Sequence, residues 1–100
     1  MNQILTESLT PGGTRPLAFR QMLDVLEAGH AAGLCLFTVD VVAEDGKRPL
    51  PEWMFRLTDE EVETLAIDKI VPMALEFYGQ HASDPELNAA WFEVFFEKLD

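Results

Sequence analysis

Between residues 15 and 30 the apolar positions return every three or four residues. Phe19, Met22, Leu23 and Leu26 fall at i, i+3, i+4 and i+7, the spacing of one buried helical stripe. Thr14 can cap that helix, Pro16 is tolerated in its first turn, and Gly33 stands at or just past its end. From residue 34 the period shortens. The run LCLFTVDVV is rich in β-branched and apolar residues, with Phe37, Val39 and Val41 on one face and Leu36, Thr38 and Asp40 on the other, which predicts a strand. Asp45 and Gly46 signal a turn, and residues 53–57 read as the returning strand. Pro49 and Pro51 cannot donate to a ladder, so the return is expected as a long loop with a short edge strand. The alternative places residues 34–43 in a second helix and leaves no sheet.

The second half opens on Thr58, Asp59, Glu60 and Glu61, a capping box whose acids also complement the helix dipole. Val62, Ala66, Ile70, Met73 and Phe77 then share a helical face, with a break predicted at Pro72 and an end near Gly79. Ser83, Asp84, Pro85 and Glu86 repeat the start signal, and a last helix is predicted over residues 84–99. Residues 1–10 carry Ile4, Leu5 and Leu9 before Pro11, Gly12 and Gly13 stop any regular element. The expectation is one compact domain over residues 1–100 with a docked N-terminal arm at 1–13. Its class is α+β and helix-dominated, with three to four helices packed on a short β-hairpin, or else an all-α bundle.

Composition adds that 100 residues, 48% of them hydrophobic, can bury a core without disulfide or metal support. Cys35 is alone and cannot form an internal disulfide. The first residues lack a basic signal-peptide region, and no apolar stretch approaches the roughly 18–20 residues of a transmembrane helix, so the expected location is the cytoplasm. Charge changes the picture most. Eighteen acids against seven bases give a net charge of −11, and twelve of the acids lie in residues 51–100. Such a field repels nucleic acid and anionic membranes and attracts basic partners. Lys47 and Arg48 are the only adjacent basic pair, too few for a phosphate-tracking surface.

Chemical motifs are sparse. The sequence has no P-loop, GxGxxG or GxSxG pattern. His30 and His81 lie near predicted helix ends, where capping explains them, and two histidines with one cysteine make no zinc spacing. Cys35 sits in the most apolar stretch and reads as a small hydrophobe. Asp40, Glu44, Asp45 and Gly46 do not match a calcium loop. No cofactor, metal or enzymatic activity is therefore expected, with a carboxylate-dependent enzyme as the third option.

Winding residues 84–100 as a helix gathers Glu86, Glu93, Glu97 and Asp100 within an arc of about 60°, with the last three roughly 5–6 Å apart. That spacing is similar to the step between successive phosphates. Trp91 and Phe95 fall on one flank of this helix, and Phe92 and Phe96 on the other, so it needs cover on two sides. The acids are either a solvated face or a surface that presents carboxylates where a partner expects phosphates.

A small, single-domain, strongly acidic chain whose second-half acids run from Asp59 to Asp100 resembles the small inhibitors of bacteriophages and mobile elements, anti-CRISPR proteins in particular. The resemblance implies a stoichiometric DNA mimic that docks on the basic channel of a CRISPR surveillance complex, or of another nucleic-acid-binding protein, and blocks target DNA. Glu60, Glu63, Asp68, Glu86, Glu93, Glu97 and Asp100 would then carry the contact, without direct nucleic-acid or membrane binding. The alternative is an immunity- or antitoxin-type protein, or a homodimer, that binds through Trp91, Phe92, Phe95 and Phe96, residue types that dominate interface hot spots.

Overall fold

The computed structural model describes residues 1–98, with the side chain of Val62 outside that description. The expected arm is helical over α1 (Asn2–Ser8), and Ile4, Leu5 and Leu9 lie partly buried against the core. The Glu7 carboxylate clips α1 to the following segment, accepting from the Arg15 guanidinium and from the Arg15 backbone N–H. Those two hydrogen bonds hold the Glu7 carboxyl at about 2, well below its ordinary range. Next comes α2 (Phe19–Ala31), which buries Phe19, Met22 and Leu26 of the predicted stripe, leaves Leu23 only partly buried, and buries Val25 in its place. Its end is a Schellman motif: Gly33 has φ 77°, its N–H donates to the His30 carbonyl, and the Leu34 N–H donates to Gly29. Its start is later than expected. Ala18, not Thr14, is the N-cap, with its N–H donating to the Gln21 side chain, because residues 14–17 are drawn into the sheet.

Residues 35–42 form β1 (Cys35–Val42), which removes the all-α alternative. The facing differs from the simple alternation. Leu36 lies opposite Phe96 and Thr38 opposite Phe95, so Phe37 is a bulge that has no partner in the ladder. Leu36, Val39 and Val41 therefore face the core together, and Phe37 is turned outward and 56% exposed. Gly46 makes the turn at φ 73°, and the Asp45 carboxylate accepts from the Lys47 and Arg48 amides. After a 3-10 turn at Pro51–Trp53, the chain returns as β2 (Phe55–Arg56), pairing Arg56 with Thr38 and Phe55 with Val39. The prolines thus give the long loop and short edge strand expected of them.

The capping box forms as predicted at the start of α3 (Asp59–Thr64), with the Thr58 hydroxyl accepting from the Glu61 amide and the Glu61 carboxylate from the Thr58 amide. The predicted break moves. Leu65 and Ala66 are both extended, a 3-10 turn follows at Ile67–Lys69, and α4 (Ile70–Gln80) carries Pro72 as its third residue. A proline there costs nothing, because the first amides of a helix have no intrahelical partner. Asp84 caps α5 (Pro85–Ala89), accepting from the Glu86 and Leu87 amides.

The largest correction concerns the predicted last helix. It ends at Ala89, and residues 91–97 are a strand, β3 (Trp91–Glu97), antiparallel to β1 over its whole length. Among the described residues the sheet has the order β2-β1-β3, so this is an α+β fold whose central strand is β1. The remaining edge of β3 is closed by residues 14–17. Leu17 exchanges both backbone hydrogen bonds with Phe92 at 2.8 Å, and the Thr14 hydroxyl accepts from the Val94 N–H at 3.0 Å. A bare edge is a template for unwanted pairing, and this device covers it. On the inner face Phe92, Val94 and Phe96 meet α2 and α4. The Phe92 ring lies 5.7 Å from Phe19 and 5.9 Å from Tyr78, and the Phe96 ring sits where a side chain on Gly29 would be.

Candidate protein-binding surface

The strand at residues 91–97 redistributes every residue singled out in the last segment. A strand advances about 3.3 Å per residue, so Glu93 and Glu97 stand roughly 13 Å apart, not one helical turn apart. Glu86 lies on a different element, α5, where its carboxylate accepts from the Trp53 indole N–H at 2.7 Å. Asp100 lies outside the described residues. The helical rail of acids is therefore absent among the described residues. Glu60, Glu63 and Asp68 are all exposed, on α3 and the turn that follows it.

The aromatic flanks also dissolve. Phe92 and Phe96 are core residues, whereas Trp91 and Phe95 face the other side of the sheet. Trp91 is 39% exposed and donates its indole N–H to the Glu44 carbonyl, and Phe95 lies partly buried beside Gly13. Strand alternation thus divides the four aromatics into two buried anchors and two outward residues.

The outer face of the sheet carries the most distinctive surface. Between it and residues 57–67 runs a groove of about 610 Å³, with Phe37 and Phe95 on the sheet side and Leu57, Leu65 and Ile67 on the other. Ile67 is 44% exposed, so both Phe37 and Ile67 offer large apolar surface. The charged groups lining the groove are Asp40, Glu97 and Arg56, and the Arg56 guanidinium meets Asp40 at 3.4 Å. Sequence reasoning missed Phe37 because the bulge inverts its phase, and Ile67 because it was placed within a continuous helix. A shallower hollow lies between the 43–48 turn and α5, lined by Glu44, Asp45, Arg48 and Glu86.

Electrostatics distinguish the acids. Glu93 pairs across the strands with Asp40, and its partial burial, then the Asp40 charge, push its carboxyl above the ordinary range. Burial, reinforced by Glu97, likewise raises the Cys35 thiol, which disfavours a thiolate nucleophile. The Tyr78 hydroxyl is buried, is shifted upward by that burial, and donates to the Trp53 carbonyl at 2.8 Å. His81 packs edge-on against Trp53 and Phe77, an aromatic role beside its position at the end of α4. Among the described residues no group of three or more His, Cys, Asp or Glu side chains is arranged to hold a metal ion.

The Asp40–Glu93 pair gives a direct test. Like charges facing across strands cost roughly 0.2–1 kcal/mol, so Glu93→Gln is expected to stabilise the fold by that amount at pH 7. Because the folded-state value is raised, the ionised carboxylate is the disfavoured form. The gain should appear as pH rises through the raised value and vanish below the ordinary 4.5, where Glu93 is protonated in both states. Urea unfolding of both proteins at pH 7 and pH 4 checks this, and a variant less stable at pH 7 would refute the electrostatic assignment.

Among the described residues no helix is long and apolar enough to cross a membrane. No protein-family model matches the chain, and neither a curated protein nor a solved structure is found to match it.

Proposed function

We propose that this chain is a non-enzymatic, stoichiometric binding protein that covers a basic nucleic-acid-binding surface, as an anti-CRISPR protein does on a surveillance complex in the host cytoplasm. The observation that supports this reading is the exposed acidic segment of Glu60, Glu63 and Asp68 in a chain of net charge −11. Among the described residues only two ion pairs form, Glu7 with Arg15 and Asp40 with Arg56, so these three acids keep their field. That field steers a cationic partner and repels competing nucleic acid. The helical phosphate-mimicking rail no longer supports the reading, and the aromatic alternative loses Phe92 and Phe96 to the core.

The test is displacement of target duplex from a CRISPR surveillance complex, followed by electrophoretic mobility shift. Exposed charges are worth roughly 0.5 kcal/mol each, so the triple variant E60Q/E63Q/D68N should need about tenfold more protein for half-displacement. Its urea midpoint should stay near wild type. No displacement by the wild type, or equal displacement by the variant, would overturn the reading.

A further inference from the structure

The groove on the outer sheet face has a chemistry of its own, beyond the exposed acids of α3. Phe37 and Ile67, two of the most exposed large apolar residues among those described, both line it, one from the sheet and one from the turn after α3. Bulges of this kind re-aim a side chain, and here the bulge points an aromatic ring away from the core. The charged lining is asymmetric. Arg56 is engaged by Asp40, whereas Glu97 forms no ion pair among the described residues, and Glu93 lies beside Asp40 on the same face. The site therefore offers apolar contact with a negative rim.

That combination selects among occupants. A second copy would bring the same patch against itself in a two-fold contact, gathering Glu93 and Glu97 of both copies into one interface. Phosphate-bearing ligands and anionic lipid surfaces meet the same repulsion. We infer that the groove receives a cationic amphipathic segment of a partner protein, with large apolar side chains seated between Phe37 and Ile67 and flanking Lys or Arg groups reaching Glu97 and Glu93. The inference rests on the reading above and adds the apolar anchor to it. In such interfaces charges set encounter rate and specificity, while desolvated apolar anchors supply most of the affinity.

Two fluorescein-labelled peptides of equal net charge separate the two statements, an amphipathic Leu/Lys helix and its counterpart with every Leu replaced by Ser. Fluorescence polarisation at moderate salt should show the Leu/Lys peptide binding at least about tenfold more tightly. The F37S/I67S variant should lose that preference while keeping its far-UV circular dichroism, because both residues are exposed. If the double variant fails to fold, F37S alone carries the comparison. Glu97→Gln should weaken binding of the Leu/Lys peptide and flatten its salt dependence. Equal binding of the two peptides removes the groove but leaves the charge-based reading intact, which stands or falls on duplex displacement. An unchanged preference in the variant, or a dimer that F37S/I67S converts to monomer, overturns the groove's assigned occupant.

Discussion

Phe92→Ala is expected to destabilise the protein by about 3–5 kcal/mol, the range for emptying a fully buried phenylalanine site. Typical domains are stable by only about 5–15 kcal/mol, so the variant should lose a large share of its stability. The size of the effect follows from position. Phe92 is fully buried on the inner face of β3, packed against Phe19 of α2 and Tyr78 of α4. Urea unfolding should show a large fall in midpoint with little change in slope. The contrast with Phe37→Ser is the control. Surface substitutions usually stay within about 0.5 kcal/mol, and Phe37 points outward from the bulge. Two phenylalanines that look alike in the sequence should then differ several-fold in their effect on stability. A Phe92→Ala variant of near wild-type midpoint would contradict the strand at residues 91–97.

Thr14→Val should cost about 1–3 kcal/mol despite the near-identical shape of the two side chains. The hydroxyl of Thr14 accepts from the Val94 N–H at 3.0 Å, while its own N–H donates to the Val94 carbonyl at 3.1 Å. Valine keeps the second bond and deletes the first, leaving a buried amide without an acceptor. Thr14→Ser retains the oxygen and should lose less. Hydrogen exchange locates the effect: the Val94 amide should exchange faster in Thr14→Val, whereas amides in the middle of α2 should move only with global stability. Wild-type protection of Val94 in Thr14→Val would mean that residues 14–17 do not close the sheet edge.

The parts legible in the sequence were those whose signals are local. The α2 stripe, Gly33 as its exit, the Thr58 capping box and the proline-bound edge strand are each set by residues within a turn or two of one another. The last segment was not legible, and its residues explain why. Glu93 and Glu97 are four apart, a spacing that satisfies a strand's period of two and nearly satisfies a helix's 3.6. Phe92, Val94 and Phe96 alternate as a strand should, but Phe95 and Trp91 fill the outward positions with more aromatics and hide the alternation. Those outward aromatics are tolerated because the Gly13 backbone packs on Phe95 and the Glu44 carbonyl holds Trp91, contacts from distant sequence. The density of aromatic residues also favours a strand, whereas the Asp84 cap signals a helix whose length local sequence does not limit. Thr14 misled similarly: a residue suited to capping the next helix instead serves the edge of β3. The groove was invisible for a related reason, since a one-residue bulge moves Phe37 to the opposite face of the sheet.

The contact between Thr14 and Val94 spans 80 positions of sequence. A chain made from its N-terminus has α2 and β1 well before β3, so Met22, Leu26, Val39 and Val41 must wait for the strand that completes their cover. Closure at such long range slows folding, and apolar surface left waiting is what draws unfinished chains together. Mutual repulsion between highly charged chains works against that association. A net charge of −11 therefore opposes contact between molecules whose sheet is still incomplete.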